Sequence, residues 1–409
     1  MQSAYRQFYS TESALLKVTN DLLLAIDKGL EAILILLDFS SAFDTIDHTT
    51  MIHRFHDIYG FDGAVLQWLT SYLEDRTQII TLNRVQSEAF PLAWGVPQGS
   101  VMGPLDFILY TGPLSNVISS HQGVEHMMYA DDTQLYVILK QSEIANGVIR
   151  LEQCISDVKV WACSNNLMLN GAKTEILHVT SAFRRSSELP DLVVEGIAVT
   201  PSKSSRDLGV IVDDTLSMKQ HIQKTCKAAA FGIHRIGKLR KYLDRSSTER
   251  LVNAFVTSHI DYCNSLLIDL PVSQLIKLQR IQNASARLIT RTRKQEHITP
   301  ILRSLHWLPF PQRIHFKILL LTYKALHGLA PAYIKDLVSP KVPTSSIRLR
   351  SSTSAHLQLA HGPRTHTRYG NRAFSVCAPR LWNNLPLHVR DSPTLPIFKN
   401  RLKTYLFTQ

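Results

Sequence analysis

Three aspartates in this chain have the types and spacing to do chemistry together: Asp38, and the adjacent pair Asp131 and Asp132. An isolated Asp-Asp pair is ordinarily a solvated turn, because so short a pattern recurs by chance. Asp38 changes that reading. It closes the apolar run ILILLDF over residues 33–39, where a lone ionised carboxylate would carry a large desolvation cost unless a partner or a cation balances it. Held on neighbouring strands, Asp38 and Asp131 would repel each other and call for a divalent cation. Two Mg²⁺ ions between such acids suit phosphoryl transfer, one activating an attacking hydroxyl and the other steadying the leaving oxygen.

The elements that must position these acids follow from the apolar pattern. The run at 33–37 is a strand buried on both faces and is too short to span a membrane. MMYADDTQLYVIL, residues 127–139, reads as strand, tight turn, strand, with Asp and Thr supplying the turn chemistry and both acids at the hairpin tip. Residues 10–27 open on a Ser/Thr cap and continue as an amphipathic helix. Residues 51–75 form helical pieces broken at Gly60 and Gly63, followed by a strand at 76–82. A helix beyond Asp38 would carry Phe43, with Asp44 and Asp47 as acids of a helix N-terminus rather than metal ligands. In GVPQGSVMG, residues 95–103, three glycines and Pro97 make a loop whose backbone can approach a ligand closely, and a helix follows. Ile144, Val148, Leu151, Ile155, Val158 and Ala162 recur at helical spacing, the stripe of a helix packed under the sheet. His53 and His56 have no third ligand nearby, so no metal site is expected there.

At 409 residues with 44% hydrophobic content, the chain can hold two or three subdomains around sizeable cores. Its five cysteines are far apart and lack a Cys-x-x-Cys pair, which argues against a disulfide framework or a zinc knuckle. With no apolar segment of membrane length, a soluble intracellular protein is expected. The net charge of +12 hides an asymmetry: residues 1–215 carry 14 Lys and Arg against 26 Asp and Glu, and residues 216–409 carry 31 against 7. An acidic half followed by a strongly basic one is the footprint of a part that grips a phosphate backbone. The basic amphipathic helices expected at 224–243 and 275–294 would lay cations along such a partner. Residues 181–190 read as a polar link, and 340–372, rich in Ser, Thr, Arg, His and Pro, as a flexible one.

Three ordered segments carry a resemblance. LLDFSSAFDTIDH (residues 36–48), GVPQGSVMGPLDFILY (95–110) and YADDTQLY (129–136) resemble the successive palm motifs of reverse transcriptases, in detail those of LINE-type (non-LTR) retrotransposons. Flanking segments at 2–27 and 369–407 extend the likeness over nearly the whole chain. The resemblance implies an α+β fold: a right-hand polymerase palm with an antiparallel sheet and packed helices (33–215), a remnant of fingers (1–32), a helical basic thumb (216–339) and a C-terminal extension (340–409). It implies an RNA-directed DNA polymerase using two Mg²⁺ ions, with Mn²⁺ as the alternative, held by Asp38, Asp131, Asp132 and the backbone carbonyl of Phe39. Asp38 and Asp131 would bridge the ions and Asp132 would support them. It further implies that Phe43 blocks a 2′-hydroxyl, that Gln98, Gly99 and Tyr129 lie near nucleotide and template, and that Lys173 neutralises departing pyrophosphate. Arg6 would contact template or nucleotide, and the hairpin expected at 205–213 would hold the primer end. Its partners would be an RNA template, a DNA primer, their duplex and deoxynucleoside triphosphates, with no membrane.

The sequence also departs from the family's pattern. Ala4 and Tyr5 replace the usual Gly and Phe, and Asp106 stands where an apolar residue is usual. The resemblance implies that the chain begins within the second fingers motif and lacks the family's nuclease, so the rival expectation is an inactive fragment that only binds RNA or RNA:DNA duplex.

Overall fold

The structure is a computed structural model, and it describes residues 2–40, 42–97, 99–183, 189–341 and 358–409. The chain forms two compact units, one of Met1–Gln7, Glu31–His178 and Phe183–Lys203, the other of Phe8–Leu30, Val179–Ala182 and Ser204–Gln409. The first helix, α1 (Thr11–Asp27), belongs to the second unit.

The first unit contains, in order, β1 (Glu31–Leu37), β2 (Phe39–Ser40), α2 (His48–Asp57), α3 (Gly63–Leu73), the two-residue strands β3 (Thr77–Gln78), β4 (Thr81–Leu82), β5 (Val85–Gln86) and β6 (Phe90–Pro91), then α4 (Gly103–Thr111), α5 (Leu114–Ser119), β7 (Glu125–Tyr129), β8 (Asp132–Leu139), α6 (Ile144–Cys163), β9 (Met168–Leu169), β10 (Glu175–Val179), β11 (Leu192–Val194) and β12 (Ile197–Val199). The main sheet has the order β10-β1-β8-β7, and both ladders made by β8 are antiparallel. The apolar run expected to be buried on both faces is so at Ile33, Leu34, Ile35 and Leu37, each at most 2% exposed, while Leu36 is half-buried. All six stripe residues of α6 are buried in the core that covers the sheet.

Three expectations are corrected here. Thr133 lies inside β8, buried, and the turn before it is made by Ala130 and Asp131. No helix follows Asp38: residues 42–44 are turns, and α2 begins only where Asp47 caps it by accepting from the N–H of Thr50 at 2.6 Å. That is the helix-terminal role read for Asp47. The strand expected at 76–82 is broken after Gln78. Its halves pair separately, Thr77–Gln78 with Phe90–Pro91 and Thr81–Leu82 with Val85–Gln86, across a turn in which Asn83 and Arg84 both take positive φ.

Sequence reading missed Arg54. It is 7% exposed in α2, and its guanidinium donates to the Tyr110 carbonyl and the Asn165 side chain while lying 4.3 Å from the Tyr110 ring centroid. An Arg in the last turn of a helix looks like a solvated cation from spacing alone. Arg54→Met keeps the bulk but strands both acceptors, so equilibrium unfolding should show a loss of about 3 kcal/mol. A loss under about 0.5 kcal/mol would mean that these contacts carry no net stability.

Among its described residues the second unit is mainly helical, and it carries the hairpin of β13 (Ser204–Asp207) and β14 (Val210–Asp213), the one expected at 205–213. It continues with α7 (Lys219–Leu239), α8 (Arg245–Val252), α9 (Ser258–Asp261), α10 (Val272–Thr290), α11 (Ile298–Ser304), α12 (Phe310–Leu326) and α13 (Ala332–Lys335), and ends in helices at Arg368–Arg372, Phe374–Asn383, Leu387–Arg390 and Leu395–Phe407. In α1, Ser10 and Ser13 cap the N-terminus reciprocally. The helix is not amphipathic in the simple sense expected, because Thr19, Asn20 and Asp27 are buried along with the apolar stripe. Each buried polar group with a named partner explains why: Asn20 accepts from the N–H of Ser375, and Asp27 from the N–H groups of His366 and Thr367.

Of the flexible link read at 340–372, residues 342–357 lie outside the described residues. At its end the chain is anchored, with the His366 and Thr367 N–H groups bonded to Asp27 and with Gly370 and Arg372 buried, while His361, Pro363, Arg364 and Arg368 are exposed. Part of the polar link at 181–190 also lies outside them, at 184–188.

Candidate active site

β7 and β8 are joined by two residues. Tyr129 pairs with Asp132, leaving Ala130 and Asp131 in the turn. Ala130 takes a left-handed φ of +56°, unusual for a residue with a Cβ. The β1–β8 ladder runs out at Leu37 opposite Thr133, so Asp38 follows the last rung and stands at the same end of the same two strands as Asp132. The register thus brings together acids more than ninety positions apart.

Lys173 joins them by a separate route. The short ladder of β2 with β9 pairs Phe39 with Leu169, the Asp38 carbonyl accepts from the N–H of Asn170 at 2.9 Å, and a turn carries the chain on to Lys173. Its Nζ lies 3.4 Å from Asp38 Oδ2, an oxygen that is itself buried and accepts no hydrogen bond. Phe39, whose carbonyl the resemblance singles out, is thus fixed in backbone pairing beside the acids.

The charges of these groups reach one another. Burial raises the Asp131 carboxyl above the ordinary carboxylate range, as does the negative charge of Asp38, while Lys173 and a backbone hydrogen bond act against them. Asp132, exposed at the strand start, is pushed up to about 6 by partial desolvation and then by the charges of Asp131 and Asp38. Among the described residues no three His, Cys, Asp or Glu side chains stand ready-gathered at metal-ligand spacing. The donor set nonetheless fits a hard divalent cation: oxygen ligands only, mutual repulsion, and a buried Asp38 oxygen without a hydrogen bond.

The Gly/Pro loop is fastened to the segment after Asp38. The N–H of Gly95 donates to the Ile46 carbonyl at 2.7 Å, the N–H of Val96 to the Phe43 carbonyl at 3.0 Å, and His48 Nε2 meets the Gly95 carbonyl at 2.7 Å. Gly95 has φ +82°, and a Cβ there would meet the Asp44 carbonyl oxygen at 3.0 Å, so only glycine allows this approach. Phe43 is half-buried and stacks on Phe107 of α4, with ring centroids 4.4 Å apart. Gly99 has φ +80° in open space, and Gln98 lies outside the described residues. Tyr129 packs against Ala4, Ile108 and Ala130. Arg6 is exposed, its guanidinium donating to the Gln2 carbonyl. His53 and His56 both face Asp57, at 3.9 and 2.7 Å.

In the second unit, Lys219, Lys224, Lys227, Arg235, Lys238 and Lys241 are all exposed along and just beyond α7. Aromatics interleave with them: Arg235 lies over the exposed Phe231 and Lys241 over the exposed Tyr242. Cations with aromatic faces suit a phosphate backbone and its bases. No helix among the described residues is long and apolar enough to cross a membrane.

Acids at one end of a sheet whose β1–β8 and β8–β7 ladders are antiparallel, helices packed against that sheet, and a glycine-rich loop fastened to the segment after Asp38 define the palm class of α+β folds. Residues 2–212 match the family described as reverse transcriptase (RNA-dependent DNA polymerase), and the chain belongs to that family. It is 27% identical over 225 residues to the RNA-directed DNA polymerase from mobile element jockey of Drosophila funebris, covering 54% of this chain and 24% of that protein. It is likewise 27% identical over 258 residues to the probable RNA-directed DNA polymerase from transposon BS of Drosophila melanogaster, covering 61% and 27%. These are mobile-element relatives of the kind the motifs resemble, and the chain spans about a quarter of their length. Among solved structures, apo telomerase from Candida tropicalis aligns with a TM-score of 0.41 and 13% identity over 76% of this chain and 51% of that one.

Proposed function

We propose that the chain carries out RNA-templated DNA synthesis, the primer 3′-oxygen attacking the α-phosphorus of a deoxynucleoside triphosphate. The observation that carries this reading is the convergence of Asp38, Asp131 and Asp132 at one end of β1 and β8, each within reach of another's charge. Asp38 and Asp131 would hold the divalent ions, two Mg²⁺ or Mn²⁺, with Asp132 and the Phe39 carbonyl in support. Such ions lower the pKa of the attacking hydroxyl and offset charge on the leaving oxygen.

The other assignments are roles for this chain's own groups. Lys173, already paired with Asp38, would shift its charge toward the departing pyrophosphate. Phe43, braced by Phe107, would be a rigid wall against a 2′-hydroxyl, and an apolar wall rejects a hydroxyl sterically only when it cannot yield. Gln98, Gly99 and Tyr129 would line the nucleotide and template side, and Arg6 would touch the template. In this reading residues 33–215 act as palm, 216–339 as a duplex-gripping thumb, and 1–32 and 340–409 as fingers remnant and extension.

Primer extension on an RNA template, with purified chain, Mg²⁺ and deoxynucleotides, tests the reading. Template-directed incorporation is expected. Retention of RNA:DNA duplex on a filter with no incorporation at any divalent ion concentration would assign the chain to nucleic-acid binding alone.

A further inference from the structure

We infer that Gln2 is the positioning residue for the turn that presents Asp131. The Gln2 side chain holds Ala130 from both sides: its Oε1 accepts from the N–H of Ala130 at 2.9 Å, and its Nε2 donates to the Ala130 carbonyl at 3.1 Å. The same Oε1 accepts from the N–H groups of Ser3 and Ala4, both at 3.0 Å, which fixes the amide's own rotamer. The backbone of this segment is anchored too, Gln2 bridging to Met128 and the N–H of Ser3 donating to the Met128 carbonyl at 2.8 Å.

The clamp acts where the backbone most needs it. Ala130 has φ +56°, a conformation an L-residue adopts only at steric cost, and it directly precedes Asp131. A flip of the 129–130 peptide that relieved φ would turn the Ala130 N–H away from Gln2 Oε1, while the bond from Nε2 holds the carbonyl of the next peptide. The amide therefore holds the turn in the geometry that aims the Asp131 carboxylate, and Gln2 touches none of the reacting groups itself. The inference rests on the reading of Asp131 as a metal-holding residue.

Gln2→Met keeps the length and volume of the side chain and removes all four hydrogen bonds. In the primer-extension assay its kcat should fall about tenfold or more, with the KM for deoxynucleotide and the Kd for duplex within about threefold. Glycine takes φ near +56° without strain, so in an Ala130→Gly background the same Gln2→Met change should cost less than about threefold. Hydrogen exchange gives a readout without turnover: amides of residues 126–136 should exchange faster in Gln2→Met while those of α6 keep their protection. If Asp131→Asn abolishes incorporation but Gln2→Met does not lower kcat, or if Ala130→Gly fails to lessen the loss, the inference is overturned and the reading of the site stands. No incorporation by the unsubstituted chain overturns that reading and the catalytic part of this inference with it. Unchanged exchange at 126–136 overturns the mechanical part on its own.

Discussion

Asp131→Asn should lower the rate of deoxynucleotide incorporation by about a thousandfold or more, a rise of roughly 4 kcal/mol in the barrier, while the folded chain becomes slightly more stable. The two signs come from one arrangement. Asp131 and Asp132 both titrate above the ordinary carboxylate range, because desolvation, only partial at the exposed Asp132, and the neighbouring negative charges work against ionisation. An amide of the same shape removes one of the repelling charges, which favours the fold, and would weaken the proposed oxygen cage for cations, on which the expected loss of activity rests. Stored repulsion of this kind is the usual signature of a functional site. Duplex binding should change by less than about threefold, since the exposed cations along α7 are untouched. Single-turnover incorporation, calorimetric unfolding and filter binding on the same preparation read all three. A rate within about tenfold of the unsubstituted chain would remove Asp131 from the chemistry, and a stability loss matching the activity loss would reduce the effect to unfolding.

The second large effect concerns a residue with no role in the proposed reaction. Asp106 in α4 is fully buried, neither carboxylate oxygen has a hydrogen-bond partner among the described residues, and burial pushes its pKa up to about 7. The folded state therefore binds a proton that the unfolded chain, titrating near 4, gives up. The penalty on the fold is small near pH 4, grows as pH rises through the interval, and levels off above about 7 at roughly 4 kcal/mol. Asp106→Leu, which supplies the apolar residue usual at this point of the motif, should stabilise the chain by several kcal/mol at pH 8 and by less than about 1 kcal/mol near pH 4. Asp106→Asn should flatten the pH dependence without the gain in packing. Denaturant titrations at the two pH values decide it, and an equal effect of Asp106→Leu at both would show that ionisation is not the cost.

What was legible in the sequence follows a physical divide. The buried strand around Ile33 to Leu37, the stripe of α6, the hairpin carrying Asp131 and the Asp47 cap all rest on period and local turn chemistry, which one stretch of sequence contains. The break in the strand at 76–82 was hidden because Ile79 and Ile80 read as strand residues, although both are exposed and the pairing switches partner there. In the Asp131 hairpin the turn was read to include Thr133 and not Ala130, since Ala130 gives no hint of a left-handed φ that distant Gln2 helps to hold. Arg54, Asn20 and Asp27 look like solvated polar groups until partners far along the chain are known. At the site itself, residue types marked the three acids, but Lys173 meets Asp38 only through the ladder of Phe39 with Leu169. Long-range register is the information that periodicity lacks.

The central claim is that Asp38 and Asp131 jointly hold divalent cations when nucleic acid is present. A crystal of the chain with RNA:DNA duplex and a non-hydrolysable deoxynucleotide, grown in Mn²⁺, allows the ions to be located by anomalous scattering. The account predicts density bonded to carboxylate oxygens of both Asp38 and Asp131. A fully bound nucleotide with no ion shared by those two side chains would contradict it.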